Sequence, residues 1–127
     1  KVMLPFHMYC DRDGARAHEL GALHVNAYFR SQLEASADWL SGKTSKDYPS
    51  HPKLVAALKE FTFEGKLAEA SVWVGTPAEI RDLVRRYSDS VGGVDVASLQ
   101  VNFHKIPYQA AAASMRLFAE EVAPALR

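Results

Sequence analysis

The stretch Ala70-Ser71-Val72-Trp73-Val74-Gly75-Thr76-Pro77-Ala78-Glu79-Ile80 decides how this chain folds. Residues 70–74 favour a β-strand, which stops at Gly75. Thr76 and Glu79 have the spacing of a capping box, in which each side chain accepts a hydrogen bond from the backbone amide of the other residue. Pro77 occupies the first helical position, where its missing N–H costs nothing. The stretch therefore predicts a strand, a tight turn and a helix in direct succession.

The chain after this stretch predicts one more strand and a closing helix. An apolar stripe at helical spacing continues through Tyr87, and Gly92-Gly93 ends that helix. Residues 94–103 largely alternate between apolar and polar side chains, which predicts a strand whose two faces differ. After a short loop, the apolar positions of residues 111–122 share one face of a last helix, which Pro124 terminates.

The chain before this stretch predicts a strand followed by helices. Val2–Cys10 is apolar at nearly every position, as in a strand buried on both faces of a parallel sheet, although Pro5 favours an edge or an irregular start. Asp11 and Asp13 offer N-capping oxygens for the helix that follows. The remaining predicted segments are a continuation of that helix to Ser41-Gly42, an exposed loop over residues 43–51, and a second short helix from Pro52 to Gly65.

Strands that alternate with helices indicate an α/β fold with parallel pairing through right-handed crossovers. Two architectures satisfy this order: an open, doubly wound sheet and a segment of a closed (β/α)8 barrel. Three parallel strands leave two exposed sheet edges, which is unusual for a complete domain and ordinary for a piece of a barrel. The chain also opens at Lys1 without a methionine and enters a strand at once, so we expect a single unit over residues 1–127 that belongs to something longer.

Composition excludes several classes of function. Fifteen basic residues balance fifteen acidic residues, and no block of one sign indicates binding to nucleic acid or to an anionic membrane. No apolar run has the length of a membrane span, and the single cysteine cannot form an internal disulfide. These features predict a protein of the reducing cytoplasm.

Three motifs resemble the luciferase-like, flavin-dependent monooxygenases. Val74–Ile80 matches that family's "VGTPEEV" turn after its seventh strand, and Ser114–Leu126 matches its closing "SLRLFAEEVMPAL" helix. Between them, Gly93–Val96 resembles the "GVD" entry to the eighth strand, and the segment ending at Cys10 resembles the sixth βα unit. The resemblance therefore covers most of the chain, and its second half is the most specific.

The resemblance implies a fold, a cofactor and partners. It implies the last three units of a (β/α)8 barrel, reduced FMN supplied by a flavin reductase, and oxidation of a small organic substrate by O2. A sister branch of the family uses the deazaflavin F420 for hydride transfer without oxygen. Because the earlier strands would hold most of the flavin site, we expect the chain alone to be inactive. A different class of function remains open: a non-catalytic half-barrel that self-associates or pairs with the missing half.

Barrel active sites lie at the carboxyl ends of the strands, which selects three places: residues 9–11, 75–76 and 102–104. His104 is the candidate catalytic residue, because it follows a strand and titrates near neutral pH, against the alternative of an exposed loop histidine. The candidate cofactor-binding residues are Gly75 and Thr76 for a phosphate and Trp73 and Phe103 for an apolar wall.

Each of these candidates also has a purely structural interpretation. Gly75 and Thr76 serve helix capping, and Trp73 and Phe103 serve packing between strands and helices. Cys10 is a pocket-lining thiol or a small buried hydrophobe. The five histidines show no HxxxH spacing and the chain has no CxxC, so we predict no metal site.

Overall fold

The computed structural model describes residues 1–41 and 46–126. Its three strands, β1 (Met3–Cys10), β2 (Trp73–Gly75) and β3 (Val96–Gln100), form a parallel sheet in the order β2-β1-β3. The α-helices are α1 (Gly14–Ala35), α2 (His51–Leu58), α3 (Phe63–Ala68), α4 (Pro77–Val91) and α5 (Tyr108–Leu117). Two 3-10 turns, Ala37–Ser41 and Ala123–Leu126, and a π-helical turn, Phe118–Val122, complete the described elements.

Helices pack on both faces of this sheet. On one face, Tyr9 and Val74 form a core with side chains of α1 and α3, among them Val25 and Phe63. On the other face, the aliphatic and aromatic side chains of α4 and of the π-helical turn cover β1, β2 and β3. The sheet is therefore the middle of three layers, in the manner of doubly wound α/β folds.

The strand order differs from the one that a segment of a closed barrel would have. Consecutive barrel units pair in the order β1-β2-β3 and carry all their helices on the outer face. Here β3 lies on the opposite edge of β1 from β2. The two right-handed crossovers therefore run in opposite directions, which places α1 and α4 on opposite faces. The α/β class with three parallel strands is confirmed, and among the described residues the strand order and the two helix layers have the arrangement of an open, doubly wound sheet.

The helix ends form where the sequence places capping residues. The Asp13 side chain accepts from the amide of Arg16 at the start of α1. Thr76 and Glu79 form both hydrogen bonds of the predicted capping box at the start of α4. Gly92 ends α4 in the left-handed conformation, at φ +78°, which glycine adopts without steric cost. These three predictions are confirmed.

Several predicted boundaries are wrong. The predicted helix from Pro52 to Gly65 is two helices, α2 and α3, because the Thr62 side chain accepts from the amide of Gly65 and caps a new helix there. The helix predicted to reach Ser41-Gly42 gives way after Ala35 to a 3-10 turn. The strand predicted over 94–103 is limited to Val96–Gln100. In the predicted loop over 43–51, residues 43–45 lie outside the described residues, and the last residue, His51, begins α2.

Pro5 lies in the central strand, not at a sheet edge as its missing N–H suggested. The amide of Asp11 donates to the carbonyl of Gly75 in β2, and the amide of Cys10 donates to Ser114 on the opposite side of β1. Because amides alternate in direction along a strand, the Pro5 nitrogen faces the β2 side. Only Met8–Cys10 pair with β2, so no partner at the level of Pro5 requires a donor there.

Candidate functional site

The strand order places a cleft beside the carboxyl end of β1. In open α/β sheets, ligands bind outside the carboxyl ends of the strands, at the point where successive crossovers turn to opposite faces. That point here lies between β1 and β3. A cleft of about 370 Å³ opens there between the end of β1, the start of α1 and one side of α5. Its polar and charged lining residues are Tyr9, Asp11, Arg12, Arg16, Ser114, Arg116 and Glu120.

Ser114 fixes α5 against β1 at the floor of this cleft. Its hydroxyl oxygen accepts a 2.7 Å hydrogen bond from the amide of Cys10. The same hydroxyl donates to the sulfur of Met8 at 3.7 Å. The side chain is 1% exposed, so water cannot replace it as the partner of that amide. Ser114 therefore completes the backbone hydrogen bonding of β1 above the end of β3.

A linked set of polar side chains forms the wall of the cleft at the start of α1. Arg16 Nε lies 2.9 Å from Asp11 Oδ2, and the Tyr9 hydroxyl donates to the same oxygen at 3.4 Å. Burial of the ring raises the pKa of Tyr9, so its hydroxyl stays protonated at neutral pH and acts as a donor. Arg12 forms an ion pair with Glu121, in the π-helical turn that follows α5. This wall offers cationic donors to a ligand.

Cys10 does not behave as a nucleophile in this cleft. The residue is 2% exposed. Burial, followed by the negative charges of Glu121 and Asp11, raises the pKa of the thiol to about 11. Since the thiolate is the reactive form, Cys10 is an inert thiol at neutral pH and serves packing.

Gly75 and Thr76 hold the start of α4. The amide of Thr76 donates to Glu79 Oε2 at 2.7 Å, and the amide of Glu79 donates to the Thr76 hydroxyl at 3.4 Å. Burial alone raises the pKa of Glu79, but the Thr76 hydrogen bonds and nearby His18 outweigh it, and the pKa is lowered. These amides are already satisfied by the protein. The pair therefore has a structural role, and no phosphate is needed to complete this helix end.

Trp73 and Phe103 belong to the two interior cores. Trp73 is 2% exposed, stacks on Phe6 with ring centroids 3.9 Å apart, and donates from its indole nitrogen to the carbonyl of Ala70. Phe103 is 3% exposed and meets the His7 ring edge to face at 4.9 Å. Neither ring faces the cleft as an apolar wall.

His104 lies away from the cleft, in the loop between β3 and α5. Its backbone carbonyl is hydrogen-bonded to Nδ1 of His24 in α1, and the two rings are 6.1 Å apart. His104 and Lys105 have φ of +49° and +60°, which side-chain-bearing residues seldom adopt. Nδ1 of His104 is buried without a hydrogen-bond partner among the described residues. His104 therefore contacts α1 and not the residues that line the cleft.

Sequence reasoning missed Arg12, Arg16 and Ser114. Their signal is weak but present: Ser114 is the lone hydroxyl after four consecutive alanines, Ala110–Ala113, and the two arginines follow directly on a buried strand. Of the predicted places, only residues 9–11 line the cleft. In residues 1–41 and 46–126, no group of three or more His, Cys, Asp or Glu side chains is arranged to hold a metal ion. Within the same ranges, no helix is long and apolar enough to cross a membrane.

Comparison with known proteins shows a similarity of fold alone. No protein-family model matches the chain, and no curated protein matches it. Among solved structures, the chain is similar to the monooxygenase RslO1 from Streptomyces bottropensis, with a TM-score of 0.66 and 24% sequence identity. The match covers 98% of this chain and 31% of that chain, so the chain spans about a third of the length of this neighbour. The shared property is the α/β architecture.

Proposed function

We propose that this chain is part of an oxidoreductase, a flavin-dependent monooxygenase that uses reduced FMN and O2 to oxidise a small organic substrate. One observation carries the proposal: nearly the whole chain superimposes on a protein named as a monooxygenase. The motifs at Val74–Ile80 and Ser114–Leu126, which resemble luciferase-like monooxygenases, support it independently. The closed barrel of that family is not part of the proposal, because the strand order and the helix layers differ from it.

The described residues do not form a complete flavin site. A flavin ring needs a flat apolar slot, and its phosphate needs free amides or cations. The aromatic side chains Trp73 and Phe103 are buried in the cores, and the amides of Thr76 and Glu79 are occupied. The cleft, at about 370 Å³, lies near the lower end of the range of ligand pockets, roughly 300–1,000 Å³. A flavin bound in this cleft would therefore depend mainly on residues beyond those described.

The described residues form one polar wall of the cleft. Arg12, Arg16 and Arg116 present guanidinium groups around the cleft. Guanidinium groups suit carboxylate and phosphate oxygens because they donate in a planar fork. In the proposed enzyme these residues bind and orient the polar end of a small substrate, and the oxygen chemistry belongs to the cofactor.

The test compares the 127-residue chain with the product of its complete reading frame. FMN titration by fluorescence quenching and O2 consumption with a flavin reductase give the two readouts. We expect flavin-dependent O2 consumption from the product of the complete reading frame, and neither stoichiometric FMN binding nor turnover from the 127-residue chain. Parallel assays with an F420 reducing system separate hydride transfer from oxygenation. Absence of flavin-dependent turnover by the product of the complete reading frame contradicts the proposal.

A further inference from the structure

The cleft at the carboxyl end of β1 combines apolar and charged surface. Its lining includes the aliphatic side chains of Ala110, Ala113 and Leu117, all from α5. Arg116 also lies on α5, and Glu120 follows in the π-helical turn. Sites for small molecules have this make-up, in which apolar side chains supply contact area and a few charged groups fix the orientation of the ligand. The cleft therefore suits a small organic ion better than an inorganic one.

Two of the three arginines that line the cleft are already paired. Arg16 Nε lies 2.9 Å from Asp11 Oδ2, and Arg12 forms its ion pair with Glu121. Because a carboxylate already lies beside each of these guanidinium groups, neither adds an uncompensated charge to the cleft.

Arg116 differs from the other two arginines. Among residues 1–41 and 46–126, its guanidinium group forms no ion pair and no hydrogen bond, and the carboxylate of Glu120 has no such partner either. The two residues are four positions apart with the cation first, which is the less favourable order for a helical ion pair. Arg116 therefore presents a planar fork of donors at the cleft without an acceptor from the protein.

The remaining charges limit the charge of a ligand. Outside the two ion pairs, Arg116 is the one unpaired cation in the described lining and Glu120 is the one unpaired anion. A ligand with a single negative charge pairs with Arg116. A second negative charge would find no unpaired cation among these residues and would be repelled by Glu120. The arrangement favours a carboxylate over a phosphate dianion.

We propose that the cleft binds a small organic acid through its carboxylate, which accepts paired hydrogen bonds from Arg116 while its apolar part lies against Ala113 and Leu117. Guanidinium and carboxylate groups match in this geometry because both are planar and present two atoms side by side. The inference rests on the proposed function, in which this acid is the substrate of the oxygenase.

The test uses three probes that share a phenyl ring and differ in the polar group: benzoate, neutral benzamide and dianionic phenyl phosphate. Each is titrated by calorimetry, at neutral pH and without flavin, into the product of the complete reading frame. We expect benzoate to bind more tightly than either of the other two probes. Arg116→Gln is expected to weaken benzoate binding by about tenfold and to leave benzamide binding unchanged. Arg85→Gln is the matched control, because Arg85 is exposed on α4 and does not line the cleft.

Glu120→Gln provides a second readout that does not depend on losing a contact. Removing this charge is expected to strengthen phenyl phosphate binding more than benzoate binding. The inference is overturned by absence of benzoate binding, by equal affinity for benzoate and benzamide, by tighter binding of phenyl phosphate than of benzoate, or by equal losses in the two arginine variants. Benzoate binding without flavin-dependent turnover would contradict the proposed function alone, and turnover without selectivity for the carboxylate would contradict this inference alone.

Discussion

A disulfide between positions 3 and 96 tests the strand order directly. Met3 and Val96 are paired across β1 and β3, and both side chains are exposed, so cysteines there disturb no core. Neighbouring strands lie about 4.8 Å apart, and cysteine Cα atoms farther apart than about 7 Å cannot be bridged. In the barrel order, β2 would separate the two strands, and the same positions would be roughly 10 Å apart.

The expected stabilisation follows from the length of chain that the bond closes. A loop of roughly 90 residues loses chain entropy in the unfolded state worth about 4.5 kcal/mol, which is a ceiling because native strain reduces it. For a domain of this size each kcal/mol raises the melting temperature by about 4 °C, so an increase of roughly 10–15 °C is expected. Met3→Cys with Val96→Cys, in a Cys10→Ala background, is compared with and without reductant.

The assay is peptide mapping of the oxidised monomer together with thermal melting. Met3→Cys with Val91→Cys is the control, because Val91 is similarly exposed but lies at the end of α4 and pairs with no strand. Quantitative cross-linking of the 3–96 pair with a rise in melting temperature supports the order β2-β1-β3. Failure of the 3–96 pair to form within the monomer, under conditions that oxidise exposed thiols, would falsify that order and restore the barrel arrangement.

Three further predictions concern single side chains. Ser114→Ala leaves the buried amide of Cys10 without a partner, so it is expected to lower the free energy of unfolding by about 1–3 kcal/mol in urea titration. The control Ser88→Ala, at a half-exposed position, is expected to change it by less than about 0.5 kcal/mol. Equal losses in the two variants would contradict the role of Ser114. Gly75→Ala costs more than Gly92→Ala in the same assay, because both glycines have positive φ but only the Cβ added at position 75 meets an atom, Glu79 Oε2 at 2.7 Å. Burial lowers the pKa of His7 from 6.5 to about 4, so between these pH values the unfolded chain binds more protons than the folded chain. The free energy of unfolding therefore falls as the pH drops through that window, by up to about 3 kcal/mol. His7→Phe is expected to remove this pH dependence, and a variant with the same pH profile as the native chain would refute the prediction.

Local structure was readable from the sequence because its causes are local. The capping box at Thr76 and Glu79, the cap at Asp13 and the stop at Gly92 each depend on side chains within a few residues, and all are present. The split of one predicted helix into α2 and α3 was missed because Thr62 was not weighed as a cap, although it precedes Gly65 by three residues. The capping signal at Thr62 was therefore present in the sequence, but Gly65 was interpreted as the end of a single helix.

The strand order was not readable because it depends on contacts distant in sequence. Nothing in Val96–Gln100 says whether that strand lies beside β2 or beyond β1, since an alternating strand satisfies either edge. The candidate site depended on the expected barrel: a barrel would direct the ends of all strands into one pocket, so Gly75 and His104 were grouped with residues 9–11. In the open sheet Gly75 still pairs with Cys10, but neither Gly75 nor His104 lines the cleft, whose other side is formed by α5.

Ser114 connects the order of the strands in the sheet to the position of the cleft. Beyond Gln100, β3 no longer pairs with β1, and the edge of β1 from Met8 to Cys10 would face a void on that side. The run Ala110–Ala113 presents little side-chain bulk, which lets α5 approach this edge, and the following serine supplies the acceptor for the amide of Cys10. A bulky side chain at Ala111, which is 5% exposed, would hold α5 away from β1 and cost the hydrogen bond. The same helix therefore completes β1 and forms one side of the cleft. Ala111→Leu is expected to lower the melting temperature and to weaken the protection of the Cys10 amide in hydrogen exchange, because both depend on the close approach of α5 to β1. Full protection of that amide in a variant of native stability would contradict this role of α5.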